Sequence, residues 1–376
     1  MSRLPEPLPR ALAPLPGEGL PGLILRLAHR LDLSPTMLFA RTGLQTPASS
    51  YTSGRLLLGL GERLTAFAQT TQLTPVEAAR LTLAPDTERY PPIATSLHPR
   101  PNRFFPYDLW VFTSFTRYCP HCLAGDGSVI QQRHGGPWKI RWRLPVIFIC
   151  HEHQTFLRDG CPRCQRSAHA FDQASSRLLP PSPHGGLHPA QCRNRETGLT
   201  PARLFCGARL DSTAAQPPQP EITPSQWRLQ NRITDLLEQA ADPLQATRHF
   251  TGLRVMSAFL QATWPQGRRF TPTGLSDALE QHIDQLKRRA GERGDHVERL
   301  RWDAPPRSAV ATVILLEGTA GLLALERPAF QDALRTMLPS APAKSSKQWG
   351  RTWIHLKKHA STQFRDDVAA AVANDL

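Results

Sequence analysis

Apolar residues recur at helical spacing in two blocks of the chain, and an aromatic, proline- and cysteine-rich stretch separates them. In the first block Leu20, Leu23, Ile24 and Leu27 share one face, which predicts a helix over 20–33 behind a proline-rich, extended start. Ser34-Pro35 reads as an N-cap followed by proline at the first helical position, opening a short helix through Arg41. Leu56, Leu60, Leu64 and Phe67 predict one longer helix over 55–69. Thr74-Pro75-Val76-Glu77 has the form of a capping box, so another helix starts there and runs toward Leu83. A helix-turn-helix module and a generic helical bundle fit this block alike.

The pattern changes at 104–118, which is rich in aromatic residues. Residues 138–143 and 146–149 alternate and carry β-branched and aromatic side chains, so two short strands are expected. Trp138 and Trp142 are expected in the core, because a small module has few other large side chains to bury. Lys139, Arg141 and Arg143 alternate with apolar neighbours; they are the candidate nucleic-acid or partner contacts, with a solvated charged face as the alternative. Residues 165–191 read as a loop, and 211–224 as a proline-rich linker. The second helical block follows. Thr223-Pro224-Ser225-Gln226 caps a helix over 227–241; Leu275, Leu279, Ile283 and Leu286 mark 273–290; further helices are expected at 307–325, 329–338 and 347–359. The most apolar of them, 310–325, is broken by Glu317, Gly318 and Gly321 and reads as a buried helix rather than a membrane span.

The expected organisation is a helical, helix-turn-helix-like module at 1–117, a two-zinc module at 118–210, the linker at 211–224 and a helical domain at 225–376. The fold class is mainly α, with a small zinc-bound α+β core. Charge singles out the middle module. The chain has a formal net charge of +14, and residues 118–210 alone carry 12 basic and 5 acidic residues, net +7. Such a surplus suits a polyanionic partner, since basic contacts to phosphate release counterions; an arginine-biased composition is the plainer account.

All seven cysteines fall between Cys119 and Cys206. They form Cys119-Pro-His-Cys122, Cys150-His-Glu-His153, Cys161-Pro-Arg-Cys164 and the wider-spaced Cys192 and Cys206. With His153 they make eight donors, which is what two tetrahedral zinc ions need. An odd thiol count, and a start (MSRLPEPLPR) without an apolar export core, argue against a disulfide framework and for reduced thiols in the cytoplasm. Eight ligands divide into two closed sites with no position open for water, so the zinc is structural. Spacing alone leaves the pairing open between tandem and cross-braced arrangements. His184 and His188 are alternatives to Cys192. No phosphate-binding glycine loop, nucleophile elbow or deaminase signature is present, so no enzyme is expected.

The string YCPHCLAGDG at 118–127, followed by WRLP at 142–145 and by the run from Cys150 through His153 and Leu157 to Cys161-Pro162 and Cys164, resembles the TniQ/TnsD family of transposition target-selection proteins. Cys206-Gly207-Ala208-Arg209-Leu210 is similar to the family's closing motif, and LPGLILRLAHRLDLSPTMLFA to its opening helix. The thirteen residues between Cys192 and Cys206 depart from the usual close pair. The resemblance implies tandem sites: Cys119, Cys122, Cys150 and His153 in one, Cys161, Cys164, Cys192 and Cys206 in the other. It also implies a non-enzymatic adaptor that joins target DNA, or an RNA-guided nucleoprotein such as a CRISPR effector, to the AAA+ ATPase of a transposition machinery. A free-standing zinc-dependent DNA-binding regulator is the alternative, and a zinc hydrolase a distant third. No membrane contact is expected, and a homodimer is one of the oligomeric states left open.

Overall fold

The computed structural model describes residues 6–45, 53–98, 108–170, 177–180, 186–195, 205–274, 276–292, 302–337 and 361–373. The chain divides into two compact units, residues 1–87 with 92–222, and residues 88–91 with 223–376. Helix dominates both. Among the described residues the only named strands are two of two residues each. No described helix is long and apolar enough to cross a membrane.

The first unit is built from short elements. Helix α1 (Leu20–Leu31) is buried from Leu20 through Ala28, so even its polar face is enclosed. Arg26 lies inside with it and pairs with Glu18 at 2.8 Å. Burial pushes the Glu18 carboxyl up to about 7, and Arg26 limits the rise. Helix α2 (Pro35–Arg41) follows Ser34, whose hydroxyl accepts from the Met37 amide at 3.1 Å. A second pair, α3 (Leu64–Thr71) and α4 (Pro75–Arg80), repeats the same joint residue for residue. Asp32 and Gln72 both take left-handed backbone at the helix ends, with φ of 52° and 59°. Leu33 donates to the Ala28 carbonyl and Leu73 to the Ala68 carbonyl, at 2.9 and 2.8 Å. Ser34 and Thr74 then cap, and Pro35 and Pro75 start, the second helices. Three more short helices follow: α5 (Pro91–Leu97), α6 (Pro120–Ala124) and α7 (Val129–His134).

Three expectations are corrected here. The single helix expected over 55–69 is three pieces: 3₁₀ turns at Gly54–Leu57 and Gly61–Arg63, then α3. Gly61, at φ 56°, cannot continue a right-handed helix from the turn before it. The strand expected over 138–143 is a 3₁₀ turn at Ile140–Arg143, and that expected over 146–149 is replaced by β1 (Ile149–Cys150), antiparallel to β2 (Thr155–Phe156). Trp138 and Trp142 are nevertheless core residues, as expected. The N-terminal segment is knitted directly to this region. Gly19 donates to the Trp138 carbonyl at 2.8 Å, and Ile140 to the Gly17 carbonyl at 2.9 Å. Segments 1–87 and 118–210 therefore share one unit.

The second unit is a bundle of longer helices: α8 (Pro224–Leu237), α9 (Pro243–Ala262), α10 (Ser276–Glu292), α11 (Ala309–Leu323), α12 (Arg327–Met337) and α13 (Thr362–Ala373). Thr223 and Gln226 form the expected capping box at the start of α8. Helix α9 was not anticipated. It is buried without a break from Leu253 to Gln261, so that half has no polar stripe to reveal its period. It packs on α11, which runs past it with Ser257 and Thr319 hydroxyls 3.3 Å apart. Residues 88–91 belong here as well: Tyr90 sets its ring edge-on to Phe250, centroids 5.0 Å apart. The helix expected over 347–359 lies outside the described residues.

Candidate metal centres

The first quartet is assembled by two tight devices. Cys119 and Cys122 flank the start of α6, and the Cys122 backbone N–H donates to the Cys119 sulfur. Cys150 ends β1, and the turn that follows carries His153 before β2 returns. Reciprocal bonds between Tyr118 and Arg158, at 2.8 and 2.7 Å, hold the two devices side by side. His153 Nδ1 then lies 3.7, 3.3 and 3.5 Å from the sulfurs of Cys119, Cys122 and Cys150, and Cys122 and Cys150 are 3.5 Å apart. Metal–sulfur bonds of ~2.3 Å and metal–nitrogen bonds of ~2.05 Å give tetrahedral edges of roughly 3.8 Å between sulfurs and roughly 3.5 Å from nitrogen to sulfur. The quartet has the dimensions of that tetrahedron.

Gly136 is a glycine for a local reason. A β-carbon there would sit 1.9 Å from the Cys122 carbonyl oxygen, because the chain after α7 folds directly over the Cys119–Cys122 turn.

The second quartet uses one turn and one hairpin. The Arg163 and Cys164 amides donate to the Cys161 sulfur inside the first turn, and Gln165 closes it at φ 57°. Cys192 and Cys206, with thirteen residues between them, face each other across an antiparallel pairing. Cys192 donates to the Ala208 carbonyl at 2.9 Å, and Cys206 to the Asn194 carbonyl at 2.8 Å. The described ends of the insertion pair antiparallel, Arg195 opposite Phe205, and this pairing brings the two sulfurs together. Cys161 and Cys206 are 3.7 Å apart, Cys164 and Cys192 3.8 Å. In each quartet all four donor atoms lie within 4.8 Å of one another, so each could hold a metal ion, in the tandem arrangement. His188 is no substitute for Cys192. Its ring sits 5.3 Å from that of His29, which in turn places Nδ1 3.0 Å from Nδ1 of His134. His184 lies outside the described residues.

Electrostatics call for a cation. Hydrogen bonds from Cys122 and Cys150 push Cys119 down to about 3, and a bond from Cys192 pushes Cys161 down to about 5. The donors are raised in consequence: Cys122 and Cys192 are driven far up, first by giving that bond and then by other sulfurs and burial. Within each quartet one sulfur is thus favoured as the thiolate and another is disfavoured. A dication supplies the charge that would let the rest ionise.

The three basic residues expected on one face are each engaged by the protein itself. Lys139 pairs with Glu152. Arg141 pairs with Asp86 at 2.9 Å. Arg143 is buried, with Nη1 3.0 Å from the Phe112 and Phe115 carbonyls, and burial pushes its pKa down to about 9. They do not form one exposed strip. Sequence reasoning also missed Asn194, whose side-chain amide donates to the Cys164 sulfur at 3.5 Å, and Glu152, 3.3 Å from the Cys122 sulfur.

Residues 9–157 match the TniQ family model. Over that stretch the chain is TniQ-like. The match spans both helix pairs and the whole first quartet, and ends before the second. No curated protein matches the chain.

Proposed function

We propose that this chain is a non-enzymatic target-selection adaptor of DNA transposition, held in shape by two structural zinc ions. Cys119, Cys122, Cys150 and His153 would ligate one ion, and Cys161, Cys164, Cys192 and Cys206 the other. The observation that carries this reading is the TniQ match enclosing a complete tetrahedral donor set. Zinc suits sulfur and imidazole donors at these separations. Four protein ligands leave no coordination position for a substrate or an attacking water, so the ion would act as a cross-link. A groove of about 290 Å³ beside the second quartet is lined by Pro162, Arg163, Ala208, Arg209, Ser212 and Ala215, which offer no histidine or carboxylate to serve as a general base.

The adaptor would work in the cytoplasm, where thiols stay reduced. It would join target DNA, or an RNA-guided nucleoprotein, to an AAA+ ATPase of the transposition machinery. The duplicated helix joint of α1–α2 and α3–α4 would supply the helix-turn-helix-like contact. The test has two arms. Metal analysis of the purified chain should return about two zinc ions per chain. In a transposition assay, omitting this protein should abolish insertion at the selected target while the ATPase keeps its basal ATP hydrolysis. Unchanged targeting without it would overturn the adaptor reading and leave the DNA-binding regulator as the better account.

A further inference from the structure

The first quartet has a carboxylate against one of its sulfurs. Glu152 stands in the turn between β1 and β2, and its two oxygens face different partners. Oε2 lies 3.3 Å from the Cys122 sulfur, and Oε1 pairs with Lys139. At the second quartet a neutral group meets a sulfur instead: the Asn194 side-chain amide donates to Cys164 at 3.5 Å. The difference matters once an ion is bound. Ligand sulfurs are then thiolates, and a thiolate and an ionised carboxylate are both acceptors with no proton to share. A divalent ion with three thiolates and a neutral imidazole already carries a net negative charge, and Glu152 sets a second one against it.

Resting on the metal reading above, we propose that Lys139 is a positioning residue of the mixed centre: through Glu152 it supplies the counter-charge that lets a carboxylate stand beside the metal-bound Cys122. The chain around Lys139 places it for this contact. Its backbone pairs antiparallel with Glu18, flanked by bonds from the Gly19 amide to the Trp138 carbonyl at 2.8 Å and from Ile140 to Gly17 at 2.9 Å. Its stem crosses Gly17, where a β-carbon would stand 3.7 Å from the lysine Cδ. The lysine side chain is 19% exposed and that of Glu152 52%. A half-exposed ion pair contributes little to folding, so its significance lies in where the second carboxylate oxygen points. The N-terminal segment thereby bears on metal retention without donating a ligand.

Cobalt substitution of the full chain tests this, because an all-sulfur centre and a mixed centre of three sulfurs and one nitrogen have distinct charge-transfer and ligand-field bands. Zinc affinity of each is then read by displacement against a chelator. Lys139→Met should weaken the mixed centre by about 10- to 100-fold, the usual range for outer-shell partners, and leave the all-sulfur centre unchanged. Glu152→Gln alone should cost nothing, since its amide can donate to the sulfur as Asn194 does at the other centre. Added to Lys139→Met, it should recover most of the loss, because the carboxylate that the lysine offsets is gone. Salt should shrink the Lys139→Met deficit, as the half-exposed carboxylate is open to screening. A double variant as weak as Lys139→Met would show that the lysine stem only packs, and would overturn the proposal. Equal weakening of both centres, or a Glu152→Gln variant as weak as Lys139→Met, would do the same. Should Lys139→Met not fold, the same cycle run with Lys139→Gln, which keeps a polar stem, decides by the same outcomes. Fewer than two ions on the wild-type chain would sink the metal reading itself, before any substitution is made.

Discussion

The two units solve the problem of holding a chain together in different ways. In the second, α9 is 20 residues long and α11 is 15, and both are buried over most of their length. Their cores, Leu253, Met256, Phe259, Val313, Ile314 and Leu316 among them, are ordinary side-chain packing. In the first unit, α4, α6 and α7 have six, five and six residues, and the strands have two. Elements that short are not stable alone, since helix nucleation needs more turns and a lone hairpin is marginal. On the proposed metal reading, cross-links would replace length there. The difference then teaches that the quartets would be the condition for this arrangement of short pieces, and that the helical bundle would need nothing comparable.

The largest effect should come from stripping metal. On the full chain, chelation at neutral pH should erase hydrogen-exchange protection across 118–170 while α9 and α11 stay protected. Joint loss in both units would break the comparison. Point substitutions sharpen it. Phe259→Ala, in the bundle, should cost about 3–5 kcal/mol in denaturant unfolding and leave metal content untouched. Cys150→Ser should do the reverse, removing one of two ions with little change in the bundle's own transition. Two glycines make a matched pair. A β-carbon at Gly136 meets the Cys122 carbonyl at 1.9 Å, and one at Gly318 meets the Phe270 carbonyl at 2.6 Å. Each alanine variant should destabilise its own unit by about 1–3 kcal/mol, but only Gly136→Ala should lower metal content.

How much of this was legible beforehand follows from the same contrast. Metal-ligating residue types announce themselves by spacing, so the residues of both quartets could be picked out of the chain, while spacing alone left open the pairing and whether Cys192, His184 or His188 completed the second. Capping boxes at Thr74 and Thr223 were equally readable, because three-residue spacing is all they require. Helix α9 was hidden in its second half, since a stretch buried all round, here Leu253–Gln261, shows no 3.6-residue stripe. The stretch from Trp138 to Arg143 misled for the opposite reason. Its alternation suits a strand, yet Arg143 turns inward because backbone carbonyls that no local pattern reveals receive its guanidinium. The hairpin that unites Cys192 and Cys206 depends on pairing between backbone groups, which residue types do not encode.

Acid should separate the units by a smaller margin. His29, His134 and His188 cluster in the first unit, and all three are held below the ordinary imidazole value of 6.5, first by burial and then by nearby cationic groups; His134 and His188 fall to about 4. The unfolded chain therefore binds more protons than the folded one between pH 6.5 and about 4. Their contribution is complete above 6.5 and is lost as pH falls through that window. The second unit carries the same liability at His249, also lowered to about 4 by burial. His134→Gln should flatten the pH dependence of the first unit's melting over this range and leave the second unit's unchanged.

The smallest prediction compares two caps of the same design. Thr74 accepts from the Glu77 amide at 3.2 Å and Thr223 from the Gln226 amide at 3.3 Å, so alanine at either site removes the same chemistry, worth ~1 kcal/mol. The helices behind them differ. Helix α4 buries Ala78 alone, and little but its capping box fixes its first turn. Helix α8 buries Gln226, Gln230, Ile233, Leu236 and Leu237, and Gln226 also reaches Glu317 of α11 at 3.3 Å. Thr223→Ala should therefore fray no more than the first turn, because packing holds the rest. Thr74→Ala should release the amides of α4 to exchange along its whole length for a similar cost in global stability. Equal local exchange at the two sites would mean that packing holds the short helix as firmly as the long one.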